Sequence, residues 1–433
     1  MNPSIPVIAS IVILIAGICF FRIPIGLLLT VIGFAGYALI DGPATACSML
    51  GNEFWSIFSN SGLTVVPFFV FMGQICFHSG LSGRLYAAIA AWLGHRRGGI
   101  AAATIGACGG FAAICGSNTA TAATMSVVAL PEMRARGYHP GLAGGIVAVG
   151  TTLGAVIPPS VVAIVLGIQT GLSIRKLFIG GVLPGLLLIA LFMLTIIWMA
   201  RRNASLFPAG KRADMAARLR EMPGLFEAFA LFALVVGGLA VGAFTPTEAG
   251  SAGSVLALLL GLARRKLSFS KLVKAVFETM NVSAMIFLLL AGAGCYGKFL
   301  AVSRTPFMVA EWVARLQVAP VAVLALVLLV YFIGGMFMDA LALLLITLPI
   351  FFPLIRELGI DPLWFSLLLL VITTMGAMTP PVGASAYVVA SMGAIPLGDV
   401  FRGALIFMPA FIICLAIMYC FPGFVLFLPN MTP

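Results

Sequence analysis

A run of small polar residues interrupts an otherwise apolar stretch in the first half of the sequence. The run reads Cys115-Gly116-Ser117-Asn118-Thr119-Ala120-Thr121. Its hydroxyl, amide and carbonyl oxygens suit a hard cation such as sodium, and helix N-termini can face an anionic ligand group. If the run lies within lipid, its unpaired backbone groups need protein, water or an ion as partners. The alternative interpretation is that these side chains only hold helices together.

A second pattern occurs twice and predicts broken helices. The copies read Thr151-Thr152-Leu153-Gly154-Ala155-Val156-Ile157-Pro158-Pro159 and Thr373-Thr374-Met375-Gly376-Ala377-Met378-Thr379-Pro380-Pro381. Each Pro pair removes two backbone donors and restricts the residues before it. Each copy therefore predicts a helix that breaks in mid-membrane and leaves free carbonyl groups there. A proline kink without function would explain one copy, but it explains two matching copies poorly.

Asp339 is an isolated carboxylate at the end of the apolar segment Gly334-Gly335-Met336-Phe337-Met338-Asp339. An ionisable residue inside a membrane segment is a functional-site hypothesis by default. An interfacial Asp that caps a helix is the alternative, but the repeat described below favours cation coordination. These motifs together predict two sodium sites. The predicted ligands are Ser117, Asn118, Thr152, Gly154, Asp339, Thr373, Thr374, Gly376 and Thr379.

The composition of the chain places these motifs in a membrane. Of the 433 residues, 62% are hydrophobic and only 9% are charged. Apolar runs of about 20 residues, the length that crosses a lipid bilayer, recur along the chain. The first run has no basic stretch before it and no Ala-x-Ala site after it, so we expect a retained span and no cleaved signal peptide. Full spans are predicted at 5–21, 23–40, 60–79, 141–170, 178–200, 225–243, 247–263, 278–300, 363–393 and 402–421.

Two longer apolar segments predict re-entrant hairpins. Residues 98–137 and 318–356 are each too long for one span and too short for two spans with a loop. Because an α-helix rises about 1.5 Å per residue, each segment suits two half-helices that enter the membrane and return. The longest polar stretch, 201–223, predicts a linker between a first repeat at 1–200 and a second at 224–433. Its basic residues are Arg201, Arg202, Lys211, Arg212, Arg218 and Arg220.

The distribution of basic residues predicts the orientation in the membrane. If the linker is cytoplasmic, 18 of the 24 Lys and Arg residues, Arg22 among them, fall on the cytoplasmic side. Cytoplasmic loops carry an excess of Lys and Arg, so this choice is favoured over the reverse. Both termini are then periplasmic. The first hairpin enters from the cytoplasm and the second from the periplasm.

An internal repeat connects the motifs. One constant offset in sequence aligns Ser117 with Asp339 and both Pro pairs with each other. Further identities in the same register are Pro131 with Pro353, Arg134 with Arg356, Gly137 with Gly359, Pro140 with Pro362 and Gly171 with Gly393. Because the predicted orientations of the copies are opposite, the plan is that of an inverted repeat, with the ligand site near the midplane. The repeat favours a ligand-binding role for the polar run over simple helix packing.

Several classes of function lack support. The net charge of +11 comes mostly from short loops, so it indicates membrane topology and gives no argument for nucleic acid. The eight cysteines form no CxxC pair and no cluster with histidine, so we interpret them as packing residues. The sequence has no nucleotide-binding Walker motif and no catalytic or metal-hydrolase pattern, and we therefore predict no enzyme activity and no ATP hydrolysis.

Taken together, the motifs resemble the large membrane subunit of tripartite ATP-independent periplasmic (TRAP) transporters, within the ion-transporter superfamily. The resemblance covers nearly the whole chain. Its most specific parts are Val66-Pro67-Phe68-Phe69, Gly116 to Thr121, Pro131-Glu132-Met133 with Arg136-Gly137-Tyr138, Gly154 to Ser160, Leu183-Pro184-Gly185, Thr245 to Gly250, Met338-Asp339, Gly359-Ile360-Asp361-Pro362 and Thr379-Pro380-Pro381-Val382-Gly383.

This resemblance implies an all-α, elevator-type sodium symporter of the bacterial inner membrane. The implied substrate is an organic acid such as a C4-dicarboxylate or sialic acid. The implied partners are a small four-span membrane subunit and a soluble periplasmic binding protein. The resemblance also implies that the substrate carboxylate meets the hairpin tip and the Pro pairs. The predicted substrate-binding residues are Ser117, Asn118, Thr119, Thr121, Pro159 and Pro381.

Two other hypotheses stay open from the sequence. One is a self-sufficient sodium/dicarboxylate symporter with similar hairpins and no partners. The other is a channel or an assembly scaffold, against which the duplicated broken helices argue.

Overall fold

A computed structural model of the chain describes residues 4–19, 23–210, 214–315 and 318–431. Within these ranges all regular structure is helical. Three basic residues of the orientation argument, Arg22, Lys211 and Arg212, lie outside the described residues. So do residues 20 and 21, the end of the first predicted span.

The described helices divide between the two halves of the chain. Those of the first half are α1 (Ser4–Cys19), α2 (Ile25–Asp41), α3 (Pro43–Phe58), α4 (Val65–His78), α5 (Leu81–Leu93), α6 (Gly99–Cys115), α7 (Asn118–Ala135), α8 (Pro140–Thr151), α9 (Leu153–Val156), α10 (Val161–Thr170) and α11 (Ile174–Arg202). Those of the second half are α12 (Met215–Phe232), α13 (Gly238–Ala240), α14 (Pro246–Ala263), α15 (Phe269–Val302), α16 (Thr305–Arg315), α17 (Pro320–Phe337), α18 (Ala340–Glu357), α19 (Pro362–Gly376), α20 (Ala384–Gly393), α21 (Leu397–Leu405), α22 (Met408–Cys420) and α23 (Pro422–Met431). A π-helical turn, Ala233–Gly237, joins α12 to α13.

Eight helical segments of the described chain are long and apolar enough to cross a membrane, or nine if the bent pair α21 and α22 forms one more span. The sequence predicted ten full spans. The difference arises partly because α1 and α2 have only 16 and 17 residues. In contrast, α17 and α18, predicted as halves of a hairpin, have 18 residues each and are both among the eight segments. Such a helix is about 27 Å long, slightly less than the thickness of the hydrocarbon core.

Both predicted hairpin segments consist of two helices with a short break. In the first segment the break is at 116–117, between α6 and α7. In the second it is at 338–339, between α17 and α18. When α6 and α7 are shifted along the sequence by the offset of the repeat, their bounds agree with those of α17 and α18 to within one position. The polar run and Asp339 therefore occupy equivalent positions, each at a point where a helix is interrupted.

The Pro pairs also coincide with interruptions. After the short helix α9, the chain is extended at Ile157 and becomes helical again at Val161; in the second copy, α19 ends at Gly376 and α20 begins at Ala384. The Pro158–Pro159 and Pro380–Pro381 peptide bonds are both cis. The side chain of Ser160 caps α10 by accepting a hydrogen bond from the backbone N–H of Ala163 at 3.3 Å.

The predicted linker is only partly a loop, since α12 begins at Met215. Arg218 is buried, and its guanidinium carbon lies 5.4 Å from the centre of the Trp92 ring of α5. On the same helix, the buried Glu227 forms ion pairs with Arg84 and Arg264. Because a buried charge needs partners, these contacts attach α12 firmly to its neighbours.

α2 and α15 pack so closely that glycine replaces side chains between them. A Cβ atom at Gly33 would lie 2.6 Å from the backbone of Cys295 and Tyr296. A Cβ atom at Gly292 would clash with the carbonyl oxygen of Gly26. Small residues allow helix backbones to approach in a membrane, where van der Waals packing replaces the hydrophobic effect as the main attraction. The two helices thus form one continuous wall.

This contact predicts that Gly33→Ala destabilises the protein. The added methyl group must push two backbones apart, a form of overpacking that costs about 1–3 kcal/mol. The measurement is the thermal unfolding midpoint of the purified chain in detergent. Gly51→Ala in α3 is the matched control, since its Cβ atom would meet nothing within 4 Å. Equal midpoints for the two variants would contradict the close packing of α2 on α15.

Candidate functional site

The two helix breaks of the hairpin segments line the same cavity. Its volume is about 600 Å³, and its wall includes residues 115–120 of the first break together with Asp339 and Leu341 of the second. The two breaks belong to opposite halves of the chain. The cavity therefore brings together the two motifs from which the sequence predicted chemistry.

At the first break, Ser117 caps α7. Its hydroxyl oxygen accepts a hydrogen bond from the backbone N–H of Ala120 at 3.4 Å and lies 3.2 Å from the hydroxyl of Thr119. Both Ser117 and Thr119 line the cavity. Thr121 does not line it: this side chain is buried and donates to the carbonyl oxygen of Ser117 at 2.7 Å. Thr121 thus shapes the helix start and does not face the cavity.

Asn118 presents an unpaired oxygen at the first break. The residue lines the cavity, is 8% exposed, and its Oδ1 atom is buried without a hydrogen-bond partner. Gly154 packs against it, because a Cβ atom at Gly154 would lie 3.1 Å from this Oδ1 and 3.0 Å from the carbonyl oxygen of Ser117. A buried acceptor without a partner costs about 1–3 kcal/mol. A bound cation would remove that cost, so the residues fit a cation at this position.

At the second break, Asp339 both caps a helix and lines the cavity. Its Oδ2 atom accepts a hydrogen bond from the backbone N–H of Leu341 at 3.0 Å. The two interpretations of Asp339 that the sequence allowed are therefore compatible in one conformation. Nearby, Gly376 packs against the backbone of Gly335, and the carbonyl oxygen of Thr373 lies beside the same glycine.

The predicted threonine ligands are buried and donate their hydroxyl protons to backbone carbonyl groups three or four residues earlier. Thr152 donates to Val149 and Thr374 to Val371, while Thr373 and Thr379 donate to carbonyl groups four residues earlier, all at 2.6–2.8 Å. A hydroxyl oxygen whose proton is already donated can act only as an acceptor. That state suits a cation, although none of the four lines the cavity.

The two Pro pairs are next to segments that contact the breaks, and none of the four prolines lines the cavity. Pro159 places its carbonyl group against Gly116, and the carbonyl oxygen of Gly116 accepts a hydrogen bond from the N–H of Val161 at 3.0 Å. Pro381 is exposed outside the cavity. The carbonyl oxygen of Met336 accepts from the N–H groups of Val382 and Gly383. The chain at or just before each polar break is therefore hydrogen-bonded to the interruption in its own half of the chain.

Five helices begin at the cavity. Its wall includes first-turn residues of α2, α7, α10, α18 and α20, namely Ile25, Asn118, Val161, Leu341 and Ala384. A helix N-terminus has unpaired N–H groups and a partial positive charge equivalent to about half an elementary charge. Among the described residues of the wall there is no Lys or Arg, and Asp339 is the one charged side chain. An anion in this cavity would thus meet helix ends and hydroxyl groups.

The opposite wall of the cavity was not predicted from the sequence. That wall is apolar and is formed by α2 at Ile25 and Gly26 and by α15 at Met285 and Leu289. Such residues give no local signal, because any membrane helix contains them. Gln74 of α4 also lines the cavity. A lone polar side chain in an apolar helix is itself a sequence signal, so Gln74 could have been predicted as a site residue.

Comparison with known proteins agrees with these features. Residues 11–424 match the family model described as "Tripartite ATP-independent periplasmic transporter, DctM component". The chain is 36% identical to the C4-dicarboxylate TRAP transporter large permease protein DctM of Pseudomonas aeruginosa, over 85% of this chain and 86% of that protein. It is 30% identical to the sialic acid TRAP transporter large permease protein SiaM of Vibrio cholerae, over 96% of both. The fold is similar to the YdaH transporter of Alcanivorax borkumensis, with a TM-score of 0.60, 16% identity and 89% coverage of both chains.

The packing of Gly154 against the first break predicts that Gly154→Ala weakens cation binding. A Cβ atom would press on both the Ser117 carbonyl and the Asn118 amide, and binding groups must be held within about 0.5 Å of their productive positions. The measurement is the unfolding midpoint of the purified protein as a function of sodium chloride concentration. Gly154→Ala should need several-fold more sodium than the wild type for the same stabilisation. Gly83→Ala, at an open position in α5, is the control. An unaltered sodium requirement in Gly154→Ala would exclude this site.

Proposed function

The chain belongs to the DctM family, the large permease subunits of TRAP transporters, and from this premise we propose that it imports an organic acid in symport with sodium. The observation that carries the proposal is the convergence of five helix N-termini on a cavity whose described wall has no basic side chain. The substrate carboxylate binds there to N–H groups and to the hydroxyls of Ser117 and Thr119. Helix N-termini are anion-binding sites because their N–H groups and dipoles both face the ligand.

Sodium supplies the positive charge that the cavity wall lacks. We place one ion at Asn118 with the carbonyl groups near Gly154, where a buried amide oxygen has no partner. A second ion lies at Asp339, which brings the one carboxylate of the described wall. Charges of opposite sign attract strongly in a site with little water. Substrate and sodium therefore raise each other's affinity, which is the thermodynamic basis of symport.

The proposed movement separates the polar breaks from the apolar wall. The hairpins α6–α7 and α17–α18 and the interrupted helices form the moving part, because the chain at or just before each break is hydrogen-bonded to the interruption of its own half. α2 and α15 form the static wall, because their backbones are in contact. Among the described residues, no hydrogen bond joins the cavity face of that wall to the two breaks. The opposite membrane orientation of the halves, from the charge distribution, would give access from each side in turn.

Partners complete the transport system. Large permeases of this family work with a small membrane subunit and a periplasmic binding protein, and we propose the same two kinds of partner for this chain. The binding protein delivers the substrate. Two relatives are a C4-dicarboxylate transporter and a sialic acid transporter, so these carboxylates are the first substrates to test.

The role of Asp339 predicts that Asp339→Asn abolishes sodium-dependent uptake while the protein stays folded. Asn keeps the ability to cap a helix, so the substitution removes mainly the charge. Asp361→Asn is a matched control, since Asp361 caps α19 by accepting from Trp364 at 2.8 Å but does not line the cavity. Uptake by proteoliposomes that contain all three components is the measurement. Sodium dependence that survives in Asp339→Asn would remove this residue from the mechanism.

The partners are tested by omission. Proteoliposomes with this chain, the small subunit and the binding protein should accumulate substrate when an inward sodium gradient is imposed. Removal of the binding protein should stop uptake. A potassium gradient of the same size serves as the control. Full uptake by this chain alone would instead favour a self-sufficient symporter, and flux far above carrier rates would favour a channel.

A further inference from the structure

Two arginines connect each hairpin to the interrupted helix of the other half. Arg134, in the last turn of α7, donates a hydrogen bond to the carbonyl oxygen of Gly393 at the end of α20. Arg356, in the last turn of α18, donates to the carbonyl oxygen of Thr170 at the end of α10, at 3.3 Å. We call these two contacts the arginine clasps.

The clasps are reciprocal. Arg134 and Arg356 align in the same register that relates the two breaks, and in this register their carbonyl acceptors differ by one position. The first half of the chain therefore donates an arginine to the second half, and the second half donates the equivalent arginine to the first. A single such contact could be incidental to packing. Two contacts in the same register mean that both follow from the architecture of the repeat.

The chemistry of each clasp is that of a helix C-terminus. The last carbonyl groups of a helix have no partner within it, and a cation near them is favoured by the helix dipole. Within the described chain neither Arg134 nor Arg356 forms an ion pair with an acidic side chain. Arg356 also lies over the ring of Phe352, with its guanidinium carbon 4.7 Å from the ring centre. The carbonyl groups are thus the specific polar partners of both arginines.

All four clasped helices begin at the cavity. α7 and α20 form one pair and α18 and α10 the other, and first-turn residues of each line the cavity wall. The members of each pair also pack on each other. Each clasp therefore closes a pair at the ends remote from the cavity, while the near ends carry Asn118 and Asp339. A shift of one near end is transmitted to the helix of the other half.

We propose that Arg134 and Arg356 are positioning residues that couple the two hairpin tips, so that a cation at one tip changes the affinity at the other. This inference rests on the proposed function in one respect, that both tips bind sodium. The clasps hold the two hairpins and the two interrupted helices as one body. Loss of the clasps lets each tip bind its ion independently.

The experiment is a mutant cycle on the purified full chain, titrated with sodium chloride at constant ionic strength with choline chloride. Hydrogen exchange reports the sodium midpoint for protection of the first tip, residues 116–121. Asp339→Asn, at the second tip, should raise this midpoint about five-fold or more in the wild-type background, a typical allosteric coupling. In the Arg134→Ala, Arg356→Ala background, Asp339→Asn should leave the midpoint of the first tip unchanged within two-fold.

Four further variants separate coupling from folding. Lysine at both positions keeps a cationic donor and should keep most of the coupling. Arg315→Ala, in α16, removes an arginine whose ion pair is with Glu311 in the same helix, and should leave the coupling intact. If the double alanine variant is lost on size-exclusion chromatography, the two single variants test the same point, each with reduced coupling.

The outcomes distinguish this inference from the function beneath it. The same effect of Asp339→Asn with and without the clasps would overturn the coupling role and leave sodium binding in place. The absence of any sodium protection at the tips of the wild-type chain would overturn the proposed function and this inference together.

Discussion

Helix ends that stop inside a membrane need partners, and this requirement governs the structure. Five helices begin at one cavity, and the amide oxygen of Asn118 beside it is buried without a hydrogen-bond partner. Lipid offers no hydrogen bond, and an unsatisfied backbone group there costs several kcal/mol. The chain meets part of the requirement itself, through the caps provided by Ser117, Ser160 and Asp339. What remains unpaired defines what the cavity can bind.

The groups that line the cavity favour both an anionic and a cationic ligand. Helix N-termini attract an anion, while the amide of Asn118 and the carboxylate of Asp339 attract cations. An anion or a cation alone would leave one set of these groups without a partner of opposite charge. This complementarity is the physical reason that symport suits the site. The facing wall of α2 and α15 contributes no charged side chain to the described lining of the cavity. In the proposed mechanism this wall is the static part and the polar breaks are the moving part.

Local chemistry predicted the breaks well and the ligands less well. Gly116-Ser117 and the Pro pairs interrupt helices because glycine, a capping serine and proline act on the backbone within a few residues. The assignment of Thr121, Pro159 and Pro381 to substrate binding is not supported by their places outside the cavity wall. Thr121 bonds back to the carbonyl group four residues earlier, as hydroxyl side chains in helices often do. The polar stretch 201–223 predicts a linker, and Arg218 within it is buried against Trp92.

The sequence alone predicts the membrane location and the interruption of helices at the two polar breaks. Both depend on local properties, namely hydropathy and backbone chemistry. Three-dimensional packing was needed to show that the two breaks share one cavity, that α15 faces them, and that Arg134 and Arg356 reach the helices of the opposite half. Those facts depend on contacts between segments that lie far apart in the chain. Apolar helices with similar surfaces carry no local mark of which neighbour they will contact, so shape complementarity across the whole fold makes that choice.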